Sequence, residues 1–182
     1  MRLSARKIAV FSAQFVVLFA GFLLIYPALL PAYNSIALAL ANAVLSQLPL
    51  PMYVRAAPDN SWQVYRLPSQ KLYFTLEADY LNLVYLNLAL LPALLLATPI
   101  PYRQRLKLWG WGMLILVGVH ALSVVAIVRS EVCVHYDPNN LGCNVVEGLF
   151  GIGGQLFAVA IWGLLTWRYW FPQRSSYVAT KP

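Results

Sequence analysis

The chain has 182 residues, of which 60% are hydrophobic and only 10% are charged. This composition is typical of integral membrane proteins and argues against a soluble domain, which would need far more polar surface. The net charge of +7 does not indicate a nucleic-acid partner, because the basic residues are grouped along the chain in a way that predicts membrane topology.

Four apolar segments are each about twenty residues long, enough for a helix that crosses the roughly 30 Å hydrocarbon core of a bilayer. They comprise residues 8–30, 80–98, 108–128 and 145–167. The first is too long for the core of a signal peptide, and Pro27 and Pro31 are predicted to mark its outer end. We therefore predict an all-α integral membrane protein with four transmembrane helices in one domain, residues 1–182.

The segment between the first two spans, residues 33–79, is predicted to lie at the outer face. Residues 34–48 have a helical period but carry Asn and Gln, which favours a helix on the outer interface, with a short tilted span as the alternative. Residues 52–75 contain β-branched and aromatic residues around a Pro-Asp-Asn turn signal, which predicts a short outer β-hairpin. A further outer loop is predicted at residues 129–144.

The distribution of charge gives the predicted spans a direction. Nine of the 13 Lys and Arg residues lie at the N-terminus, after the second span or after the last span, whereas all six acids lie in the other segments. Since cytoplasmic loops are enriched in Lys and Arg, both termini are predicted to be cytoplasmic. The predicted location is a bacterial inner membrane or a photosynthetic membrane of the thylakoid type. The predicted partners are the lipid bilayer and other membrane protein subunits.

The two cysteines, Cys133 and Cys143, lie in the predicted loop 129–144. In an oxidising compartment such a pair is expected to form a disulfide. The alternative is a metal site in which the cysteines act together with His135 and Asp137. A catalytic pair of Cys133 and His135 is disfavoured, because residues i and i+2 point to opposite sides of an extended chain.

Three ionisable residues in or beside the predicted spans are candidate site residues. His120 lies inside the third span, where an ionisable side chain indicates a function or a specific partner. It can form a structural hydrogen bond in the bundle, pair with a carboxylate such as Asp79 or Glu77, or contact a haem or a chlorophyll-type pigment; no other cofactor is predicted. Glu77 and Asp79 precede the second span, where the helix dipole favours acids and Asp79 could be the N-cap. A paired-carboxylate acid–base site is the alternative.

The order of these elements resembles that of the exosortase and archaeosortase family of membrane-embedded cysteine transpeptidases. The resemblance rests on the segment IYPALLPAYNSIALALANAVLSQL, on ATPIPYRQRLKL after the second span, and on the glycine-containing last span. It implies the membrane fold of that family. In the family, a Cys, an Arg and a His cleave a C-terminal sorting signal at the outer face.

The chain differs from this family at all three catalytic positions. It has Glu77-Ala78-Asp79 where the Cys motif would fall, His120 to Ser123 where an Asn-x-x-Arg would fall, and no His at the start of the last span. A carboxylate cannot replace a thiolate nucleophile in thiol-based acyl transfer. We therefore predict a non-catalytic, exosortase-like accessory or assembly subunit of a larger membrane complex, with Ser123 as a further structural or binding candidate. The alternatives are a divergent sorting peptidase acting at the outer face through Asp79 and His120, and a subunit that contacts pigment or haem through His120.

Overall fold

The computed structural model describes residues 5–58, 61–76, 86–151 and 153–170. This part of the chain is mostly helical and includes a three-stranded antiparallel sheet. The helices are α1 (Ala5–Leu45), α2 (Asn87–Ala97), α3 (Tyr102–Tyr136), α4 (Leu141–Gly151) and α5 (Phe157–Trp170), with a short 3-10 helix at Gly153–Leu156. The strands are β1 (Met52–Ala56), β2 (Trp62–Arg66) and β3 (Lys71–Leu76).

Helix α1 is continuous over 41 residues and includes both Pro27 and Pro31. The prediction of two elements, a span at residues 8–30 followed by an interfacial helix at residues 34–48, is therefore wrong. An interior proline costs a helix about 3 kcal/mol. The residues after Pro31 bury a stripe of apolar side chains, each of which contributes roughly 1.5–3 kcal/mol. Tertiary packing of this stripe outweighs the local tendency of the prolines to end the helix.

The two halves of α1 differ in what surrounds them. From Leu30 onward one face is buried, with the helical spacing of three and four residues. The buried residues of this stripe are Leu30, Tyr33, Asn34, Ala37, Leu38, Ala41 and Leu45. Between residues 6 and 29 none of the large apolar side chains is buried, and half of them are exposed, as at Val17 (72%) and Leu24 (84%).

The sheet has the order β1-β2-β3, so the structure has three strands where a two-stranded hairpin was predicted. One face of the sheet is buried because alternate residues of a strand point the same way. The side chains buried on the strands are Met52, Val54, Trp62, Val64 and Leu76. These residues join the second half of α1, together with parts of α2, α3 and α5, in the hydrophobic core.

Helix α1 covers the free edge of the sheet at strand β1. The side-chain amide of Asn42 donates a hydrogen bond to the carbonyl of Val54 at 2.9 Å and accepts one from its N–H at 2.8 Å. This amide makes the two bonds that a neighbouring strand would make at that position. The pairing fixes α1 to the sheet and satisfies an edge that would otherwise present open backbone groups.

Helices α2 and α3 correspond in part to the predicted second and third spans. The described part of the second span is α2, which has 11 residues, and residues 80–85 lie outside the described ranges. Helix α3 has 35 residues and extends the predicted span at residues 108–128 at both ends. It takes in half of the predicted outer loop at residues 129–144, which is therefore largely helical rather than a loop.

The predicted last span, residues 145–167, is divided between α4, the 3-10 helix and α5. Asn87, at the start of α2, pairs with backbone groups beside this division. Its amide donates to the carbonyl of Gly154 at 2.7 Å and accepts from the N–H of Ala158 at 3.3 Å. Such groups at helix ends have no partner within their own helix, so the Asn87 side chain stabilises the break.

Two helices in the described residues are long and apolar enough to cross a membrane, judged by length and composition. They are α1 and α3, and the most apolar 18-residue window is 0% buried in α1 and 44% buried in α3. The prediction of four spanning helices is therefore wrong, because α2 is short and the last apolar segment is broken.

Candidate functional site

A buried polar pair, Tyr33 and His120, lies where α1 packs against α3. The Tyr33 hydroxyl is hydrogen-bonded to His120 Nδ1 at 2.5 Å, and the two rings meet edge to face with centroids 5.5 Å apart. The exposed fractions are 7% for Tyr33 and 3% for His120. Because a buried imidazole nitrogen without a partner is costly, Tyr33 stabilises the histidine at this position.

The other ring nitrogen, His120 Nε2, is also buried and has no hydrogen-bond partner among the described residues. The carboxylates suggested as partners, Glu77 and Asp79, lie outside the described residues. Pairing with either acid therefore stays a prediction. Among the described residues, His120 therefore makes one hydrogen bond, to Tyr33, and its second ring nitrogen is buried without one.

Ser123 lies one turn after His120 on α3 and is buried beside it, with an exposed fraction of 2%. Its hydroxyl donates a hydrogen bond to the carbonyl of Val119 at 2.9 Å. A serine nucleophile needs a neighbouring base to accept its proton. In this geometry the proton is held by the backbone of α3 instead, which is the usual local bond of a serine inside a helix.

Sequence reasoning missed Tyr33 as the partner of His120. The signal was present, because Leu30, Tyr33 and Ala37 repeat at the helical spacing that marks a buried face. The helix was expected to end at Pro31, so this spacing was not connected to the rest of α1. Asn34, which follows Tyr33, is also buried, and its Oδ1 has no partner within the described residues.

Cys133 and Cys143 form a disulfide, as the sequence predicted, with Cα atoms 6.1 Å apart. The bond links the last turn of α3 to the first turn of α4. Because both thiols are used in this bond, they cannot act as metal ligands with His135 and Asp137. No group of three or more candidate ligands was found among the described residues.

An aromatic cluster joins strand β3 to the end of α3 near the disulfide. The rings of Tyr73 and His135 meet edge to face at 6.1 Å, and the ring of His135 lies 5.8 Å from that of Tyr136. A side-chain hydrogen bond with Tyr136, together with burial, raises the pKa of Tyr73 above its usual value, while the charge of Arg66 lowers it in part. His135 is therefore part of the contact between the sheet and α3.

No protein-family model matches the sequence, and no curated protein or solved structure is significantly similar to it. The resemblance to exosortases and archaeosortases therefore stays a prediction. The candidate site is defined by this chain's own geometry, in which a histidine and a serine are buried and bonded within the fold.

Proposed function

We propose that the chain is a membrane-embedded, non-catalytic accessory or assembly subunit of a larger membrane complex, with an exosortase-like framework. The observation that carries this proposal is the long apolar surface of α1. A helix of 41 residues is about 61 Å long at 1.5 Å per residue. This is roughly twice the 30 Å hydrocarbon core of a bilayer, so a helix that crosses it near the normal extends far beyond it.

The part of α1 beyond such a crossing still has exposed apolar side chains. Ile36, Leu40 and Val44 follow one another at intervals of four residues, with exposed fractions of 55%, 47% and 43%. We call these three residues the α1 ridge. The opposite face of the same turns packs on the sheet and the core. An exposed apolar ridge outside the hydrocarbon core favours contact with another protein.

The grouping of basic residues supports an orientation in which both termini lie on the cytoplasmic side of the membrane. Phe11, near the start of α1, lies with its ring centroid 5.9 Å from that of Trp162 and 5.3 Å from that of Trp170. The start of α1 therefore lies beside the end of α5, whose last turn carries Arg168. Basic segments that are far apart in the sequence meet at one end of the bundle, which is the arrangement expected of a cytoplasmic side.

The proposal of a non-catalytic role is supported by the state of His120 and Ser123. Both side chains are almost fully buried, and each makes its described hydrogen bond inside the fold. A general base or nucleophile must lie within hydrogen-bonding reach of a substrate atom. The described contacts of these two residues serve packing between α1 and α3.

The test is purification of the tagged full-length protein from its native membrane in mild detergent, followed by mass spectrometry. We expect a stoichiometric membrane partner that is lost in Leu40→Glu, because a charge on the α1 ridge would disrupt an apolar contact. Thr75→Glu is the matched control, since it places the same charge at an exposed position of β3. A partner retained equally by both variants, or none at all, would contradict the subunit proposal. Release of a tagged C-terminal sorting substrate that depends on Asp79 and His120 would favour the peptidase alternative.

A second candidate function, contact with haem or pigment, is favoured by the geometry of His120. Histidines that ligate metals commonly have one ring nitrogen fixed by a hydrogen bond and the other turned to the ligand. His120 has Nδ1 bonded to Tyr33 and Nε2 without a partner in the described residues. The purified protein would then show a visible absorption band that is lost in His120→Ala, and a colourless native preparation would exclude this candidate.

A further inference from the structure

An open groove lies at the basic end of the bundle, between α1 and the turn that joins α2 to α3. Its volume is about 550 Å³. Ala13, Val17 and Leu18 of α1 form one wall, and Leu96 at the end of α2 forms part of the other. These side chains make the groove almost wholly apolar. A ligand that fills it must therefore have an apolar body.

Arg105 on the first turn of α3 gives this groove a charge. Its Nε donates to the carbonyl of Ile100 at 2.7 Å and its Nη1 to that of Leu96 at 3.0 Å. These two bonds hold the guanidinium in place beside the groove. Since a guanidinium has five N–H donors, donors remain for a ligand, and within the described residues no acid forms an ion pair with Arg105. The site thus combines a fixed cation with an apolar trough.

Further positive charge lies on the two helices that line the groove. Arg103 and Lys107 are exposed on the same end of α3, and Arg6 is exposed at the start of α1. Such a cluster attracts anionic lipid headgroups, because each Lys or Arg near a membrane surface contributes to the attraction. The fixed guanidinium also offers paired donors to phosphate oxygens.

We propose that this groove binds one anionic phospholipid, with an acyl chain along the α1 wall and the phosphate on Arg105. The occupant is a membrane lipid because only an amphipathic anion satisfies both the apolar wall and the guanidinium. The groove is also continuous with the exposed apolar surface of α1, which in the proposed arrangement already contacts acyl chains. The inference rests on the membrane embedding proposed above, and it adds a lipid class and a binding residue to it.

The test uses the full-length protein, purified in detergent and equilibrated with an equimolar mixture of phosphatidylglycerol and phosphatidylcholine. Native mass spectrometry then counts the lipids retained per protein. We expect one phosphatidylglycerol to be retained in preference to phosphatidylcholine. Arg105→Gln should lower this preference about fivefold, the effect of one basic residue near an anionic surface. The matched control is Lys71→Gln, which removes an exposed charge on β3, a strand that does not line the groove, and should leave the preference within about twofold.

A second pair of variants tests the apolar wall without changing charge. Ala13→Phe should fill the groove and reduce retention of the lipid, whereas Ala20→Phe, an exposed position on α1 that does not line the groove, should leave it unchanged. If Arg105→Gln does not fold, the headgroup preference of the unaltered protein and the result for Ala13→Phe still test whether the groove binds an anionic lipid. Equal retention of the two lipids, or retention unaffected by Ala13→Phe, would overturn the proposal.

The result of the lipid experiment can be distinguished from the result of the partner purification that tests the proposed function. A protein that inserts in membranes and loses its partner in Leu40→Glu, yet shows no lipid preference, contradicts only the lipid site. A protein that is recovered in the soluble fraction contradicts the membrane embedding on which both depend.

Discussion

The first and second halves of α1 are one continuous helix with opposite surroundings. In the first half, residues such as Val17 and Leu24 are exposed. In the second half, Leu38 and Leu45 are buried against the sheet and the neighbouring helices. Apolar content is high in both halves, so content alone does not tell which side chains are covered. The difference lies in what the rest of the fold places beside each half.

The buried half also differs in its polar residues. Tyr33 and Asn42 make specific bonds to α3 and to strand β1. The helix therefore combines an apolar surface that is suited to lipid with a bonded surface that fixes the sheet. This comparison predicts that equal substitutions in the two halves will have unequal effects.

The largest expected effect is from truncation of a buried leucine in the second half. Leu45→Ala should lower the free energy of unfolding by about 2–5 kcal/mol, because it leaves a cavity in the core. Leu24→Ala, in the exposed half, should change it by less than about 0.5 kcal/mol. Denaturant titration of the detergent-solubilised protein, followed by near-ultraviolet circular dichroism, measures both. Equal losses would show that the first half is packed against protein as tightly as the second.

A smaller effect is expected from the bond between α1 and the sheet edge. Asn42→Ala removes two hydrogen bonds and leaves the N–H and carbonyl of Val54 without these partners, which should cost about 2 kcal/mol. Hydrogen exchange should become faster at the Val54 amide. Ser35→Ala is the control, because its hydroxyl bonds only to Pro31 of the same helix among the described residues and the side chain is exposed. Unchanged exchange at Val54 in Asn42→Ala would contradict this role.

The smallest expected effect concerns the contact between the sheet and the end of α3. A folded-state pKa of Tyr73 above the unfolded value means that folding favours the neutral phenol. The resulting stabilisation is present below the unfolded pKa of about 10 and is lost as pH rises through the raised pKa of Tyr73. Tyr136→Phe removes the first cause of the shift, so the pKa of Tyr73 should move down. Ultraviolet titration of tyrosine ionisation measures the change, with Tyr53→Phe on β1 as the control.

Several features could be predicted from the sequence because they depend on local chemistry. The apolar composition and the aromatic strand segments were enough to predict long apolar helices and an antiparallel sheet element. The two cysteines were enough to predict the disulfide. Asn87 is a polar residue in an apolar helix, a position at which a partner is needed, but its partners, Gly154 and Ala158, are 67 and 71 residues away in the sequence.

The candidate site was less accessible to sequence reasoning. His120 was identified because an ionisable residue in an apolar helix is unusual. Its partner Tyr33 is 87 residues away in the sequence, and nothing local connects the two. The prolines also misled the prediction of helix boundaries, since their local cost is certain while the packing that offsets it is not visible in the sequence.

By itself, the sequence was enough to indicate long apolar helices, a basic excess grouped in three segments and a disulfide between the two cysteines. These features follow from composition, from the positions of charged residues and from the number of cysteines, which do not depend on how distant segments pack. The tertiary structure decided that α1 continues through two prolines, that Tyr33 contacts His120 and that Arg105 lies beside an apolar groove. Those outcomes depend on free energies of packing between distant segments, which local preferences do not contain. Packing between distant segments also explains why one face of the second half of α1 is covered by protein whereas the first half is not.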